Sequence, residues 1–483
     1  MHGNGRQCPL LVHPISYLFN QSVTQSKFPK RLKSAYVVPI FKKGSKASTN
    51  NYRPISLLHI FSKIFEKIMK KHIVKFIDDN NIISKNQFGF QQGKGTLEAL
   101  TKFSTLLHQN LDKSKFVLSI FIDFSKAFDV VPHNLLLAKL KHYGIRDAVH
   151  DWFKDYLSDR SHQTIIEGKV SKSINLTLGV PQGSVLGPIL FNLFINDLPN
   201  FSDILETILF ADDANLSLAG YNPQELIITA NIELFNFYYW CLCNRLNINT
   251  VKTYFILFSN VQYNLPLPPL MIKSSLNYDV IQRVRFIKFL GVFFDENVTF
   301  KKHVNYVTQR LTRTSSLIYQ LRELMPSFVL LNMYHAHVNS VLSYCNMIWS
   351  CAHQTTLKSL VTIQKRIIRN VTHSAFNAHT EPLFRETNIL NINQIKKFNL
   401  GIYFFKNNLN NLGQSQGNHN YLTRNRDYLR PIIHRTSAFH RSFLYQSVLL
   451  WNDLNAINND LAHLNINRFK KLLKNYLMTG MLT

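Results

Sequence analysis

The sequence predicts an α+β fold followed by a mainly helical C-terminal region. Segments typical of strands and of helices alternate up to about Val298, as they do in α+β cores. After Lys301 the apolar residues recur at helical spacing. Hydrophobic residues make up 46% of the 483 residues and charged residues 17%, so the chain is globular and long enough for two to four domains.

The net charge of +27 and the pI near 9.8 indicate a polyanionic partner, and nucleic acid is the first candidate. An anionic membrane is the alternative. Against it, the sequence contains no uninterrupted apolar run of about 18 residues and no lysine-rich amphipathic anchor. We therefore predict a nucleic-acid partner and no membrane.

Five cysteines are scattered along the chain, and an odd number without regular spacing is typical of a reduced, intracellular protein. The N-terminus lacks a secretory signal pattern, so we predict that the protein is not secreted and leave nucleus and cytoplasm open. Cys345, Cys351 and His353 lack the paired ligand spacing of a structural zinc site.

Near the N-terminus the pattern reads strand, polar turn, strand over residues 35–55, with the turn at residues 42–46. A long amphipathic helix is predicted to follow over residues 58–78.

Two acidic positions end apolar segments. Asp123 follows the apolar run of residues 116–122, which predicts a buried strand. Asp212 and Asp213 lie between the apolar segments 207–210 and 216–218, which predicts a β-hairpin with both acids at its tip. Carboxylates at neighbouring strand ends suit Mg²⁺, and two such ions about 3.5–4 Å apart assist phosphoryl transfer. The alternative interpretation of the acidic pair is an ordinary polar turn.

Three further segments carry weaker signals. The glycine-bounded loop 179–184 would permit close approach of a ligand. The alternative interpretation is a turn that only begins the next helix. Lys252 precedes a predicted strand over residues 254–258, where a lysine is commonly a solvated edge residue. Residues 289–292 form a buried strand with a turn glycine.

Taken together and in this order, these segments resemble the reverse transcriptases of non-LTR retrotransposons, nearest to the jockey-like lineage. The resemblance covers almost the whole chain from about His13 onward. The matching stretches are 38–44, 51–58, 87–90, 123–133, 179–197, 210–213 and 289–292, and in the C-terminal part 342–345, 363–366 and 449–454.

The resemblance implies a right-hand polymerase fold. It assigns residues 1–115 to the fingers, 116–299 to the palm with the catalytic acids, 300–375 to a helical thumb and 376–483 to a C-terminal helical or connection region.

The resemblance also implies the catalytic groups. Asp123 and Asp212 would be the main ligands of two Mg²⁺ ions, for which Mn²⁺ is a substitute, and Asp213 would play a lesser part. Lys252 would approach the triphosphate and protonate the leaving group.

The nucleotide-binding residues follow in the same way. Phe128 would lie beneath the sugar of the incoming deoxynucleotide and exclude a 2′-hydroxyl, and its alternative role is a core phenylalanine. Gln182 and Gly183 would contact the nascent base pair. Lys43 and Arg53, on the two strands of the fingers hairpin, would bind the triphosphate or else form a solvated basic turn.

Primer binding is implied for Phe289, Leu290 and Gly291, as a strand and turn that support the primer end. Lys365, Arg366 and Arg369 on the thumb helix would follow the duplex backbone, with a solvated helix face as the alternative.

The implied partners are an RNA template, a DNA primer and dNTPs. Relatives of this lineage carry an N-terminal endonuclease for which we find no counterpart, so we expect a truncated copy with any nicking activity supplied in trans. The predicted function is an RNA-directed DNA polymerase of a mobile element. The alternative is an inactive retrotransposon-derived relic that binds nucleic acid. A group II intron maturase shares the palm but not the C-terminal pattern, and a viral RNA polymerase would usually lack the aromatic at Phe128.

Overall fold

The computed structural model describes residues 9–261, 263, 266–274, 277–407, 429–457, 461 and 464–480. Part of the predicted C-terminal region, residues 408–428 in particular, therefore lies outside the described residues, as does Cys8.

The N-terminal part contains an antiparallel strand pair between helices. Its elements are α1 (Pro9–Thr24), β1 (Ser34–Phe41), β2 (Tyr52–Leu58), α2 (Ile60–Asp79) and α3 (Thr96–Asp112). The predicted strand–turn–strand pattern and the helix after it are confirmed. Helix α2 begins two residues later than predicted because β2 continues to Leu58 and the His59 side chain caps the helix by accepting the Phe61 N–H.

The next part holds the two acidic segments. Its elements are β3 (Phe116–Ile122), α4 (His133–His142), α5 (Asp147–Leu157), β4 (Arg160–Ile166), β5 (Lys169–Val170), β6 (Ile174–Leu176), α6 (Gly187–Ile195), β7 (Glu206–Phe210) and β8 (Asp213–Gly220). Strand β4 lies parallel to β1, and both β5 and β6 pair with β4. Residues 160–176 therefore complete the N-terminal sheet, which crosses the predicted domain boundary after residue 115.

A second sheet forms the centre of the molecule. The elements that follow β8 are α7 (Pro223–Asn244), β9 (Tyr254–Phe258), β10 (Met271–Lys273), β11 (Tyr278–Val280), β12 (Gln282–Arg283), β13 (Phe286–Phe289) and β14 (Val292–Asp295). The central sheet has the order β12-β9-β3-β8-β7. Strand β3 runs antiparallel to both of its neighbours. The end of β3, the β7–β8 turn and the start of β9 consequently meet at one edge.

The remaining described elements are helical, as predicted from the spacing after Lys301. They are α8 (Lys301–Leu321), α9 (Ser327–Tyr334), a π-helical turn (His335–Asn339), α10 (Ser340–Ser343), α11 (Asn346–Trp349), α12 (Gln354–Val371), α13 (Thr380–Glu386), α14 (Ile392–Asn407), α15 (Ser437–Arg441), α16 (Phe443–Ile457) and α17 (Ile466–Thr479).

The two faces of β3 pack into different cores because side chains alternate along a strand. Val117 and Phe121 join the core shared with α3 and the C-terminal helices. Leu118, Ile120 and Ile122 join the core formed with α2, α5, α6 and α7. All seven residues of β3 are buried, which confirms the interpretation of its apolar run as a buried strand.

Helix α7 is, in the part of the chain that the structure describes, the one helix long and apolar enough to cross a membrane on length and composition alone. A core helix passes the same test, and Leu226, Ile227, Leu234 and Phe237 of α7 are buried in the second core.

His108 on α3 makes stability dependent on pH. Burial, reinforced by the nearby charge of Arg441 and opposed by Asp112, lowers the pKa of His108 to about 4. A histidine in the unfolded chain titrates near pH 6.5, so only the unfolded state binds this proton between those values. Stability from His108 is thus present above pH 6.5 and is lost as pH falls towards 4, by up to about 3 kcal/mol.

We therefore expect His108→Leu to make the free energy of unfolding less sensitive to pH between 7 and 4.5, measured by urea denaturation. The exposed His72 on α2 provides the control, since His72→Leu should keep the wild-type slope. Part of the slope should survive in His108→Leu, because burial also lowers the pKa of His303 to about 4. An unchanged slope in His108→Leu would contradict this assignment.

Candidate active site

Three carboxylates meet at the shared edge of the central sheet. Asp123 directly follows β3, and Asp213 begins β8, whose second residue Ala214 pairs with Ile122. Asp212 lies in the turn between β7 and β8, as predicted. Asp213 is already paired with Phe210, so it belongs to the strand rather than to the tip of the hairpin.

The backbone before Asp212 is held by the segment around Gln87. The buried side-chain oxygen Oε1 of Gln87 accepts the N–H groups of Gly89 (2.8 Å) and Ala211 (3.1 Å). Ala211 adopts a left-handed conformation with φ of 55°. A Cβ atom on Gly89 would lie 2.5 Å from the Ala211 nitrogen, so only glycine fits there. Segment 87–90 matches the family pattern, but no local sequence feature indicates that it supports the acidic turn.

Burial raises the pKa of the carboxyls of both Asp212 and Asp213. For Asp213 the value rises to about 6, because partial removal from water is reinforced by the charges of Asp212 and Asp123. The pKa of Asp212 also rises through burial and the charge of Asp123, while Arg53 and Lys42 act in the opposite direction. Both side chains still reach solvent, so the cluster is accessible to an ion. Mutual repulsion among oxygen donors of this kind is relieved by a bound cation.

Within the described ranges, no three His, Cys, Asp or Glu side chains already form a complete metal-binding group. The donor chemistry nevertheless fits a hard divalent ion, which takes carboxylate oxygens together with water or phosphate oxygens.

Asp123 is oriented by the segment that precedes β9. Asn249 donates its side-chain N–H to Asp123 Oδ2 (2.9 Å), and the Asn249 backbone N–H donates to the Asp123 carbonyl (2.8 Å). Lys252 Nζ lies 3.9 Å from the same Oδ2, and both side chains are substantially exposed, so this ion pair contributes little to stability. Sequence reasoning singled out Lys252 and missed Asn249.

A cavity of about 500 Å³ opens beside the acids. It is lined on one side by Asp123, Asp213 and Lys252, and on the other by the β13–β14 hairpin. Lys42 and Lys43, which follow β1, also line it. A cavity of about 620 Å³ lies at the opposite end of β3, beside Phe116 and Arg283, and none of the predicted site residues lines it.

The prediction that Lys43 lies on a strand is wrong. Strand β1 ends at Phe41, and Lys42 extends the pairing through its N–H to the Asn51 carbonyl (2.8 Å). Lys43 therefore lies in the bend that precedes Gly44, where φ is +90°. Arg53 does lie on β2, opposite Ile40. The sequence did not identify Lys42, whose charge lowers the pKa of both Asp212 and Asp213.

The glycine loop approaches protein backbone. Gly183, with φ of +111°, leaves no room for a Cβ, which would lie 2.7 Å from the Ser56 carbonyl oxygen of β2. The Gln182 carbonyl accepts the Ser56 N–H (2.7 Å), and the Gln182 side chain donates to Asp129 (2.9 Å). The loop thus joins the N-terminal sheet to the segment that follows Asp123.

Phe128 is half-buried, and its ring stacks on that of Phe191 in α6, with ring centroids 4.2 Å apart. Its backbone carbonyl accepts the Val180 N–H of the glycine loop (2.8 Å). The ring is therefore fixed from behind and partly open to solvent.

The residues predicted to contact primer and duplex lie on the β13–β14 hairpin and on helix α12. Phe289, Leu290 and Gly291 form the end of β13 and the turn to β14, and Phe289 and Leu290 line the cavity. Lys365 and Arg366 are exposed on α12. Arg369 is partly buried and donates from Nε to the Ala378 carbonyl (2.8 Å), so its side chain is engaged within the protein.

With this geometry in place, comparison with known families identifies the class of protein. Residues 40–294, more than half of the chain, match the family described as reverse transcriptase (RNA-dependent DNA polymerase). The chain belongs to this family. Its fold class is accordingly the α+β right-hand polymerase followed by a mainly helical region, as predicted.

Similar curated proteins come from mobile elements of Drosophila melanogaster. The chain is 28% identical over 393 residues to the probable RNA-directed DNA polymerase from transposon BS, and 26% identical over 391 residues to the RNA-directed DNA polymerase from mobile element jockey. Each match covers 78% of this chain but 42% and 41% of the relative. The predicted resemblance to non-LTR, jockey-like reverse transcriptases is confirmed, and the chain spans less than half the length of these relatives.

Among solved structures, apo telomerase from Candida tropicalis is similar with a TM-score of 0.41 and 10% sequence identity, covering 78% of this chain and 71% of that one.

Proposed function

We propose that this chain is an RNA-directed DNA polymerase that extends a primer 3′-hydroxyl with dNTPs on an RNA template. The observation that carries the proposal is the convergence of Asp123, Asp212 and Asp213 on one sheet edge in a chain of the reverse transcriptase family. The names of the similar mobile-element proteins support the same activity.

The proposal keeps the division into fingers, palm, thumb and C-terminal region, with one change. Residues 1–115 form the fingers together with residues 160–176, whose strands share the N-terminal sheet. The rest of 116–299 forms the palm, 300–375 the thumb and 376–483 the C-terminal region.

Asp123, Asp212 and Asp213 would hold divalent cations, and Mg²⁺ is the proposed species, with Mn²⁺ as a substitute. Bound there, such ions supply charge that lowers the pKa of the primer hydroxyl and neutralises the triphosphate. The protein contributes the placement of the oxygens. Asn249 fixes the Asp123 carboxylate, and Gln87 fixes the backbone next to Asp212.

Positive side chains at the cavity fit a triphosphate. Lys42 and Lys43 line the cavity from the fingers turn. Arg53 lies close enough to Asp212 for its charge to oppose the rise in the pKa of that carboxyl. Arginine offers two parallel donors to phosphate oxygens, and lysine offers a compact charge. Lys252, whose Nζ lies 3.9 Å from Asp123 Oδ2, would donate a proton to the leaving pyrophosphate.

Primer and duplex contacts complete the proposal. The turn formed by Phe289, Leu290 and Gly291 would support the primer end, and the exposed Lys365 and Arg366 would follow the phosphate backbone. Arg369 is better placed to stabilise the segment after α12 through Ala378. An endonuclease that acts in trans stays a prediction. A location inside the cell also stays a prediction, and it is supported by the free thiols of the four described cysteines.

Phe128→Val should admit ribonucleotides. The stacked Phe191 prevents the Phe128 ring from retreating, so the ring would meet a 2′-hydroxyl on the sugar above it. Removing the ring should raise the efficiency of rNTP incorporation relative to dNTP at least about tenfold. The measurement is kcat/KM for single-nucleotide addition of each nucleotide type.

The matched control is Phe201→Val, because Phe201 is also partly buried and packs on another phenylalanine, Phe237. It should leave the ratio unchanged. If Phe128→Val keeps the wild-type preference, Phe128 is only a core residue.

The proposed activity is tested by incubating the chain with an RNA template, a DNA primer, Mg²⁺ and dNTPs. We expect DNA complementary to the template. Binding of the primer–template without extension would instead support the inactive, nucleic-acid-binding alternative.

A further inference from the structure

The turn between β13 and β14 has an unusual backbone. It consists of Leu290 and Gly291, with φ values of 43° and 87°. Two consecutive positive φ values suit the twist of a tight hairpin, but a leucine rarely adopts one. A conformation of this kind persists only where surrounding structure holds it.

Tyr344 supplies such a contact from the helical region. Its hydroxyl donates to the Leu290 carbonyl oxygen at 2.8 Å. Its ring lies directly against Gly291, because a Cβ on that residue would be only 3.0 Å from Tyr344 Cε1. Gly291 thus leaves room for the Tyr344 ring, and the Tyr344 hydroxyl holds the carbonyl of Leu290.

The backbone of Tyr344 is held by a buried neighbour, while its side chain is 41% exposed. Tyr344 follows the π-helical turn and α10, and the next residue, Cys345, adopts a left-handed conformation with φ of 47°. The Tyr344 carbonyl accepts the indole N–H of the fully buried Trp349 at 2.9 Å. A π-helical turn is a rare feature that is frequent at functional sites.

The Leu290–Gly291 turn lies beside the candidate active site. Leu290 and Phe289 line the same cavity of about 500 Å³ as Asp123 and Asp213. We propose that Tyr344 is a positioning residue: its hydroxyl holds the Leu290–Gly291 turn, and through that turn the helical region sets the position of the primer 3′ end. This inference rests on the proposed polymerase function.

The test compares wild type with Tyr344→Phe, which removes only the hydroxyl. The control is Tyr319→Phe on α8, where the side chain is 61% exposed. At saturating primer–template, the Tyr344→Phe rate of single-nucleotide addition should fall about fivefold, the effect of one hydrogen bond. Primer–template affinity should stay within twofold because most of the duplex would bind elsewhere. Amide hydrogen exchange in residues 290–293 should become faster, and the control should match wild type in all three measurements.

Unchanged exchange in Tyr344→Phe would overturn the claim that the hydroxyl holds the turn. Faster exchange with an unchanged rate of addition would overturn the positioning role and leave a purely structural contact. A wild-type chain that extends no primer would overturn the proposed function, and the positioning role with it, while the exchange measurement would still decide whether Tyr344 fixes the turn.

Discussion

Asp212→Asn is expected to abolish primer extension while leaving the affinity for primer–template nearly unchanged. The substitution keeps the size of the side chain and removes the charge that would hold a divalent cation. Asp212 lies in the β7–β8 turn, next to Asp213 and close enough to Asp123 for repulsion between them. Losing a cation ligand removes several kcal/mol of transition-state stabilisation, so we expect a fall of about 1,000-fold or more in the extension rate.

The control for this variant is Asp203→Asn, an exposed acid in the loop that precedes β7. It makes the same chemical change outside the carboxylate cluster and should extend primers at the wild-type rate. If Asp212→Asn retained more than a tenth of the wild-type rate, the assignment of Asp212 as a cation ligand would be wrong.

Gly89→Ala should have the second-largest effect. The added methyl would lie 2.5 Å from the Ala211 nitrogen and 3.1 Å from the Phe210 carbonyl carbon, so the backbone of this segment leaves it no space. The turn that carries Asp212 must then move, and a displacement of about 1 Å at a reacting group costs about 100-fold in rate. The rate of primer extension should therefore fall about 100-fold. Overpacking should also lower the free energy of unfolding by about 1–3 kcal/mol.

Gly95→Ala is the matched control in the same segment, because a Cβ there meets only the flexible end of Glu98 at 3.4 Å. It should keep the extension rate near the wild-type value. The rate is measured by single-turnover primer extension and the stability by urea denaturation. If Gly89→Ala were as active as Gly95→Ala, the acidic turn would not depend on close packing against Gly89.

The sequence was sufficient to place Asp123 at the end of β3 and the acidic pair at the β7–β8 hairpin. Seven consecutive apolar residues predicted β3 and its end at Asp123, and the apolar segments around Asp212 predicted the hairpin. These features depend on local patterns, since strand and turn preferences are set by neighbouring residues. The order of the motifs then indicated the family.

Other parts of the site could not be predicted because they depend on contacts between distant residues. Gln87 and Ala211 are 124 positions apart, and Asn249 and Asp123 are 126 positions apart. Nothing in a local pattern indicates which glutamine will accept a particular backbone N–H. Likewise, the parallel pairing of β4 with β1 joins residues 160–176 to a sheet that begins more than a hundred positions earlier.

Lys43 illustrates a smaller error with a local cause. The strand pattern put the turn at residues 42–46, and β1 does end at Phe41, but the resemblance assigned Lys43 to the strand. The positive φ of Gly44 turns the chain immediately after Lys43. The resemblance selected the second lysine of the pair, whereas the charge of Lys42 acts on Asp212 and Asp213.

The most direct test of the polymerase proposal is extension of a DNA primer on a defined RNA template, with the product sequenced. Wild type and the double variant Asp212→Asn/Asp213→Asn are assayed with Mg²⁺ and dNTPs, and primer–template binding is measured in the same samples. The proposal predicts complementary DNA from the wild type alone, with equal binding by both proteins. Binding by both without extension by the wild type would contradict it.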